Sequence, residues 1–273
     1  MRLRFSRGVI TIAVIVLLLA VGISFGLYHL LKKAQPLAIP DAYCGITTPG
    51  GERSLDIEQA QVSATIAAVA ERRRLPERAV VIAYATAIQE SKLQNLSYGD
   101  RDSVGVFQQR ESQGWGTRKQ LMDPVYASNK FFAALVKVKN YRKLPLEEAA
   151  QAVQRSAGGY AYAQHEEEAK ILAQAFTGRV PKAVHCWYPP DSKQTPAPKA
   201  KTSEAKRQLA RTLGSTSVST RKRGWLVASW QVAHAQKYGL RHVEFSGAAW
   251  NNDVNVEGWQ AGGKAGDDEV RIS

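Results

Sequence analysis

Apolar residues recur at helical spacing from Asp56 to Arg74, and Leu75-Pro76 interrupts the pattern. A second helix is predicted from Pro76 to Asn95. Its apolar run from Ala79 to Ile88 is almost unbroken, so it should be buried on most sides. Residues 96–117 are rich in Gly, Ser and Asp and read as loop, with a short hairpin around Val104–Gln109. A third helix begins near Pro124 and runs to Val138. A fourth spans Leu146–Ala157 and stops at Gly158-Gly159; a fifth spans Ala161–Phe176 and stops at Gly178. Residues 44–186 thus read as one helical domain with a small β element. Residues 187–223 carry Pro189, Pro190, Pro196 and Pro198 among many bases and read as a linker, although Ser203–Leu213 has the makings of a helical turn or two. The final unit, 224–273, begins with an amphipathic helix ending at Gly239, followed by strand-like runs at Arg241–Phe245 and Asp268–Ile272. Its small size makes independent folding marginal.

The N-terminus has its own pattern. From Gly8 to Leu31 the only ionisable side chain is His29, a stretch that as a helix would span a bilayer. A cleaved signal peptide is the alternative, but no small-x-small cleavage site precedes Leu27–Leu31. Three arginines before the stretch, against two lysines after it, favour a cytoplasmic N-terminus. The expectation is a cytoplasmic tip and uncleaved transmembrane signal-anchor over residues 1–33. The protein would be single-pass in the cell membrane, with its C-terminal bulk extracytoplasmic. One span cannot build a transport pathway.

Charge narrows the function classes. The 273 residues carry a formal net charge of +13. Residues 1–33 hold +5 of this, residues 187–223 hold +7, residues 224–273 hold −2, and only +3 remains for residues 34–186. The excess sits in a terminal segment and a linker, which is not the basic face of a nucleic-acid binder. The linker charge suits either anionic envelope polymers or simple solvation. No phosphate-cradling G-x-x-x-x-G-K, no G-x-S-x-G nucleophile turn and no H-E-x-x-H metal helix occurs. The two cysteines, Cys44 and Cys186, bracket the first domain. In an oxidising compartment they would form a staple closing a long loop, worth about 4–5 kcal/mol in the chain-entropy model; the alternative is two unrelated buried thiols. Neither has a partner at zinc-ligand spacing, so no metal and no cofactor is expected.

Glu90 is the candidate for chemistry. It follows directly on the apolar run, near the C-terminal end of the second helix, where partial burial and the negative end of the helix dipole both favour the protonated carboxyl. A protonated carboxyl can donate to a departing glycosidic oxygen. The plainer reading is a helix-boundary residue. Downstream, Gly105-Val106-Phe107-Gln108 offers close backbone approach and an amide for sugar hydroxyls, while Tyr98, Phe107 and Trp115 offer flat apolar faces for a ligand cleft. A glycine turn with core aromatics is the alternative there.

Ala87–Leu93 resembles the Glu-Ser helix motif of soluble lytic transglycosylases, and Gly105–Gln108 resembles their Gly-Leu-Met/Phe-Gln motif. Residues 98–117 and the stretch from Glu147 to Ala169 resemble membrane-anchored lysozyme-like proteins of actinobacteria. The resemblance covers about residues 44–186. It departs from the family at Gln154–Tyr160, where an Ala-Tyr-Asn motif is usual, and at Asp100–Ser103. It implies a mainly α, lysozyme-like domain with a small β element, in which Glu90 is the general acid/base. The substrate would be peptidoglycan, cut at the β-1,4 bond between N-acetylmuramic acid and N-acetylglucosamine, with Ser91, Tyr98, Gly105, Val106, Phe107, Gln108, Gln109, Trp115 and Tyr160 around it. A hydrolase needs a second carboxylate, for which Asp100 and Asp102 are the candidates, whereas a lytic transglycosylase needs only one. The alternative is a non-catalytic envelope-binding or scaffold protein.

Overall fold

The computed structural model describes residues 7–33, 41–154, 160–189 and 199–273. The chain falls into two units, Met1–Asp41 and Ala42–Ser273. Among the described residues, helices hold 51% and strands 14%, so the architecture is mixed α/β and not the mainly α fold expected. The reason is a set of short strands that carry little sequence signal.

The first unit contains α1 (Arg7–Lys33). Among the described residues, no helix is long and apolar enough to cross a membrane, which overturns the expected transmembrane anchor. The expected cytoplasmic tip falls largely on residues 1–6, outside the described residues.

The second unit opens with a hairpin, β1 (Tyr43–Thr48) and β2 (Gly51–Leu55), which joins the distant β5 (Val184–Trp187) in a sheet of order β2-β1-β5. Cys44 and Cys186 stand directly opposite each other in the antiparallel β1–β5 register and form a disulfide. Next comes α2 (Ile57–Arg72), started by a capping box in which Asp56 accepts from the Gln59 backbone and the Gln59 side chain accepts in return. The following α3 (Glu77–Ser91) is buried at every position from Ala79 to Ile88. It has no polar face and must be enclosed: α2, α5 (Pro124–Leu135), α6 (Leu146–Gln154) and α8 (Glu166–Phe176) all pack on it. The loop between α3 and α5 holds the two-residue strands β3 (Ser103–Val104) and β4 (Gln109–Arg110), a 3₁₀ turn at Glu111–Gln113, and α4 (Arg118–Leu121). A short α7 (Tyr160–Ala163) precedes α8.

The expected boundary at 187–223 does not divide the fold. Its residues 190–198 lie outside the described set, but 202–213 form α9 (Thr202–Leu213), which buries Ala205, Leu209 and Leu213 and packs on α2. Three apolar positions four residues apart make a stripe too narrow to stand out in so basic a segment, yet wide enough to dock. The helix predicted after Gly224 is α10 (Arg221–Ala233), and it is buried continuously from Gly224 to Ala233 instead of being amphipathic. It packs against α2, α8, β5 and β6 (His242–Phe245). The approach is close: a Cβ on Gly178 would collide with the Lys222 carbonyl, and one on Gly224 with the Phe245 ring. After α11 (Ala235–Tyr238), β6 joins β7 (Ala248–Asn251), β8 (Trp259–Ala261) and β9 (Arg271–Ile272) in a sheet of order β8-β7-β6-β9. The Trp250 indole donates to the Cys186 carbonyl at 3.0 Å and that of Trp259 to the Val184 carbonyl at 2.8 Å. The last fifty residues therefore share the core of the helical region.

His234 lies at the end of α10, stacked on Trp230 with ring centroids 3.8 Å apart. Burial pushes its pKa down to about 3. The unfolded chain takes up this proton near pH 6.5 and the folded chain only near pH 3, so stability falls as pH is lowered between those values. His165 and His185 are shifted in the same direction by burial. Chemical denaturation from pH 7 to 4 should show a falling midpoint, with a shallower slope in His234→Phe. A Cys44→Ser/Cys186→Ser double variant opens a bridge of sequence separation 142. It should lose about 4–5 kcal/mol of unfolding free energy relative to the oxidised protein in urea titrations.

Candidate functional site

Enclosing α3 leaves its two ends to meet the surface, and Glu90 stands at the second of them, half-buried. The Tyr162 hydroxyl, on α7, donates to Glu90 Oε1 at 2.7 Å. Among the described residues, no second hydrogen bond reaches the carboxyl. Beside it, Gln89 Oε1 faces His165 Nε2 at 2.9 Å, which ties the start of α8 to the same turn.

Ser91 is buried and does not present itself to a ligand. Its hydroxyl donates to the Val106 carbonyl at 2.7 Å, with the Ala87 carbonyl at 3.0 Å sharing the hydrogen. This fixes the backbone of the Gly105–Gln108 turn against the end of α3. Gly105 has φ +80°, and a Cβ there would collide with the Leu121 carbonyl. Close backbone packing, not ligand approach, accounts for this glycine. Val106 and Phe107 are fully buried, and Phe107 stacks on Phe131 with centroids 4.4 Å apart. The expectation that Phe107 lines a cleft is thus corrected: its ring is core.

Gln108 spends its amide locally, donating to the Gly105 and Tyr98 carbonyls at 3.1 and 3.3 Å and accepting from the Ser103 hydroxyl at 3.0 Å. Gln109 is buried, with its amide nitrogen 3.4 Å from the Ala127 carbonyl. Tyr98 is exposed. Trp115 is half-buried along a hollow with Ala134, Val138 and Val153. Tyr160 is 91% exposed, and Tyr162, two residues on, is the one turned to Glu90. Residues 155–159 of the displaced-motif stretch lie outside the described residues. Gln154, at the end of α6, donates to the Phe107 carbonyl at 2.9 Å.

The two candidate second carboxylates are placed differently. Asp100 is exposed, 3.9 Å from Arg101. Asp102 accepts from the Ser112 backbone at 2.8 Å, Arg110 Nε at 2.8 Å and the Ser112 hydroxyl at 2.9 Å. The Ser112 amide first, then the Arg110 guanidinium, hold its pKa far below the usual carboxylate range. Asp102 is a brace of the loop. Among the described residues, no group of His, Cys, Asp and Glu could hold a metal ion.

Sequence reasoning missed Tyr162, and it named Gln154 only as the first residue of the departing stretch Gln154–Tyr160. Tyr162 lies two residues beyond that stretch, and Tyr160 and Tyr162 form a Tyr-x-Tyr pair in which one helical turn cannot face both rings the same way. Comparison of the chain with protein-family models finds no match, and comparison with curated proteins finds none either.

In Asp102→Ala, the Ser112 amide should exchange faster than in the unaltered protein at pH 7. A lowered folded pKa gives stability that is complete above the ordinary value of 3.8 and declines below it. The gap in exchange protection should therefore still be measurable at pH 3 and narrow only on further acidification.

Proposed function

We propose that the chain cleaves peptidoglycan strands between N-acetylmuramic acid and N-acetylglucosamine, acting as a lytic transglycosylase with Glu90 as the single acid/base. The observation that carries this reading is the Tyr162–Glu90 pair at the exposed end of a buried helix. One carboxyl oxygen is anchored and the other is left for the substrate. Glu90 Oε2 gives its proton to the leaving glycosidic oxygen. The Tyr162 hydroxyl holds the carboxylate in place and steadies its new charge. The same carboxylate then takes the proton of the sugar's 6-hydroxyl as that oxygen attacks the anomeric carbon and closes a 1,6-anhydro ring. A hydrolase would need a second carboxylate at the site. Asp102 is committed to Arg110 and Ser112, and Asp100 lies in solvent beside Arg101, which favours the one-carboxylate route. The likeness of Ala87–Leu93 and Gly105–Gln108 to lytic transglycosylase motifs supports the same reading. The disulfide supports an oxidising, extracytoplasmic compartment.

A second reading, a glycan-binding or scaffold protein without catalysis, is favoured by one observation: Phe107 and Gln108 are turned to internal contacts and not to a ligand. The two are separated by incubating the purified protein with peptidoglycan and weighing the fragments. Anhydro ends are expected; reducing ends would indicate hydrolysis, and pelleting without fragments would select the scaffold. Glu90→Gln should lower the rate by about 10²–10⁴-fold. Tyr162→Phe, which removes one hydrogen bond to a charged group, should lower kcat by about ten- to a hundredfold with little change in KM.

A further inference from the structure

From Pro124 to Pro145 the chain carries five bases, Lys130, Lys137, Lys139, Arg142 and Lys143, and no acid. The fold gathers them on α5 and the turn that follows it. Lys137, Lys139, Arg142 and Lys143 are exposed, and Lys130 is half-buried. Among the described residues none of the five forms an ion pair. The next acids, Glu147 and Glu148, belong to the first turn of α6.

Two hollows lie among these cations. One, of about 440 Å³, has a floor of Ala133, Ala134, Val138 and Val153, with Trp115 and Lys130 among the residues around it. The other, of about 330 Å³, is formed by the turn from Val136 to Lys143. They meet at Lys137 and Val138, which line both, and together they are called the groove here. α6 links the groove to the Gly105–Gln108 turn: Ala152 and Val153 line the groove, and the next residue, Gln154, donates to the Phe107 carbonyl.

We propose that this groove binds the acidic peptide arms of the same polymer that Glu90 cuts, with lysines on the peptide carboxylates and the Ala/Val floor under its small apolar side chains. The identity of the polymer rests on the reading of Glu90 given above. The two halves of the groove select the ligand chemistry. A phosphodiester chain would match the cations but has nothing for an alanine and valine floor, and a neutral glycan would leave the cations unanswered. A short peptide with carboxylates and methyl-bearing side chains matches both. Each exposed contact is weak and screened by salt, so several must act together.

The test uses the full chain carrying Glu90→Gln, which keeps the polymer intact, with and without Lys137→Ala/Lys139→Ala/Lys143→Ala. The probe is insoluble peptidoglycan stripped of phosphate polymers with hydrofluoric acid, in native form and with its carboxyls converted to amides. The triple substitution should weaken pelleting on the native material about tenfold, steeply dependent on salt, with no difference on the amidated material. An unchanged unfolding transition establishes that the triple variant is folded. Equal pelleting of the two chains overturns the proposal. So does binding that disappears when phosphate polymers are stripped, since the ligand would then be a polyphosphodiester. Failure of the Glu90 chain to release fragments would instead refute the catalytic reading and leave the pelleting result to stand separately.

Discussion

A helix without a polar face has to be enclosed, and that requirement organises the second unit. The run from Ala79 to Ile88 in α3 meets protein on every side, and four other helices are arranged to provide it. What the enclosure leaves over is the helix end. The carboxylate one residue beyond Gln89 is held by a helix packed on every side while the residue itself stays half-exposed. Catalytic groups gain from such mounting, because orientation on a packed helix costs little further entropy. The Tyr162 hydrogen bond and the Ser91 bond to the Val106 carbonyl extend the same rigidity to the partner loop.

A second helix of this kind, α10, explains why the C-terminal residues are inseparable from the rest. Ten consecutive buried residues, including Trp225 and Trp230, have no surface to offer water, and α2, α8, β5 and β6 pack against the helix that carries them. The glycines at 178 and 224 exist where backbones or rings come too near for a side chain. A fifty-residue tail that is marginal alone becomes sound by joining a larger core.

Much of this was legible in the sequence, for identifiable reasons. Apolar residues at helical spacing gave the helices α2, α3, α5 and α8, and a lone Glu after such a run marked the candidate site. The strands were harder. In β1 the inward positions are Cys44, Ile46 and Thr48 and the outward ones include Gly45, an alternation too muted to see against its neighbours. The helix α9 hid behind its own charge. At the site, motif likeness brought Phe107 and Gln108 forward as ligand contacts, although tertiary packing uses the ring in the core and the amide in the loop. Tyr162 escaped because choosing between two tyrosines requires knowing which side of a four-residue helix faces α3.

The sheet order β2-β1-β5 carries a consequence for how the chain matures. Strand β1 is made early, yet one of its edges stays unpaired until β5 arrives, and Cys44 cannot meet its partner before then. The cover that α10 gives to β5 comes later still. Until the C-terminal part of the chain is present, a strand edge and a thiol lack the partners they have in the finished fold. The protein's yield in a cell thus hinges on whatever shields that edge while the chain is still being delivered.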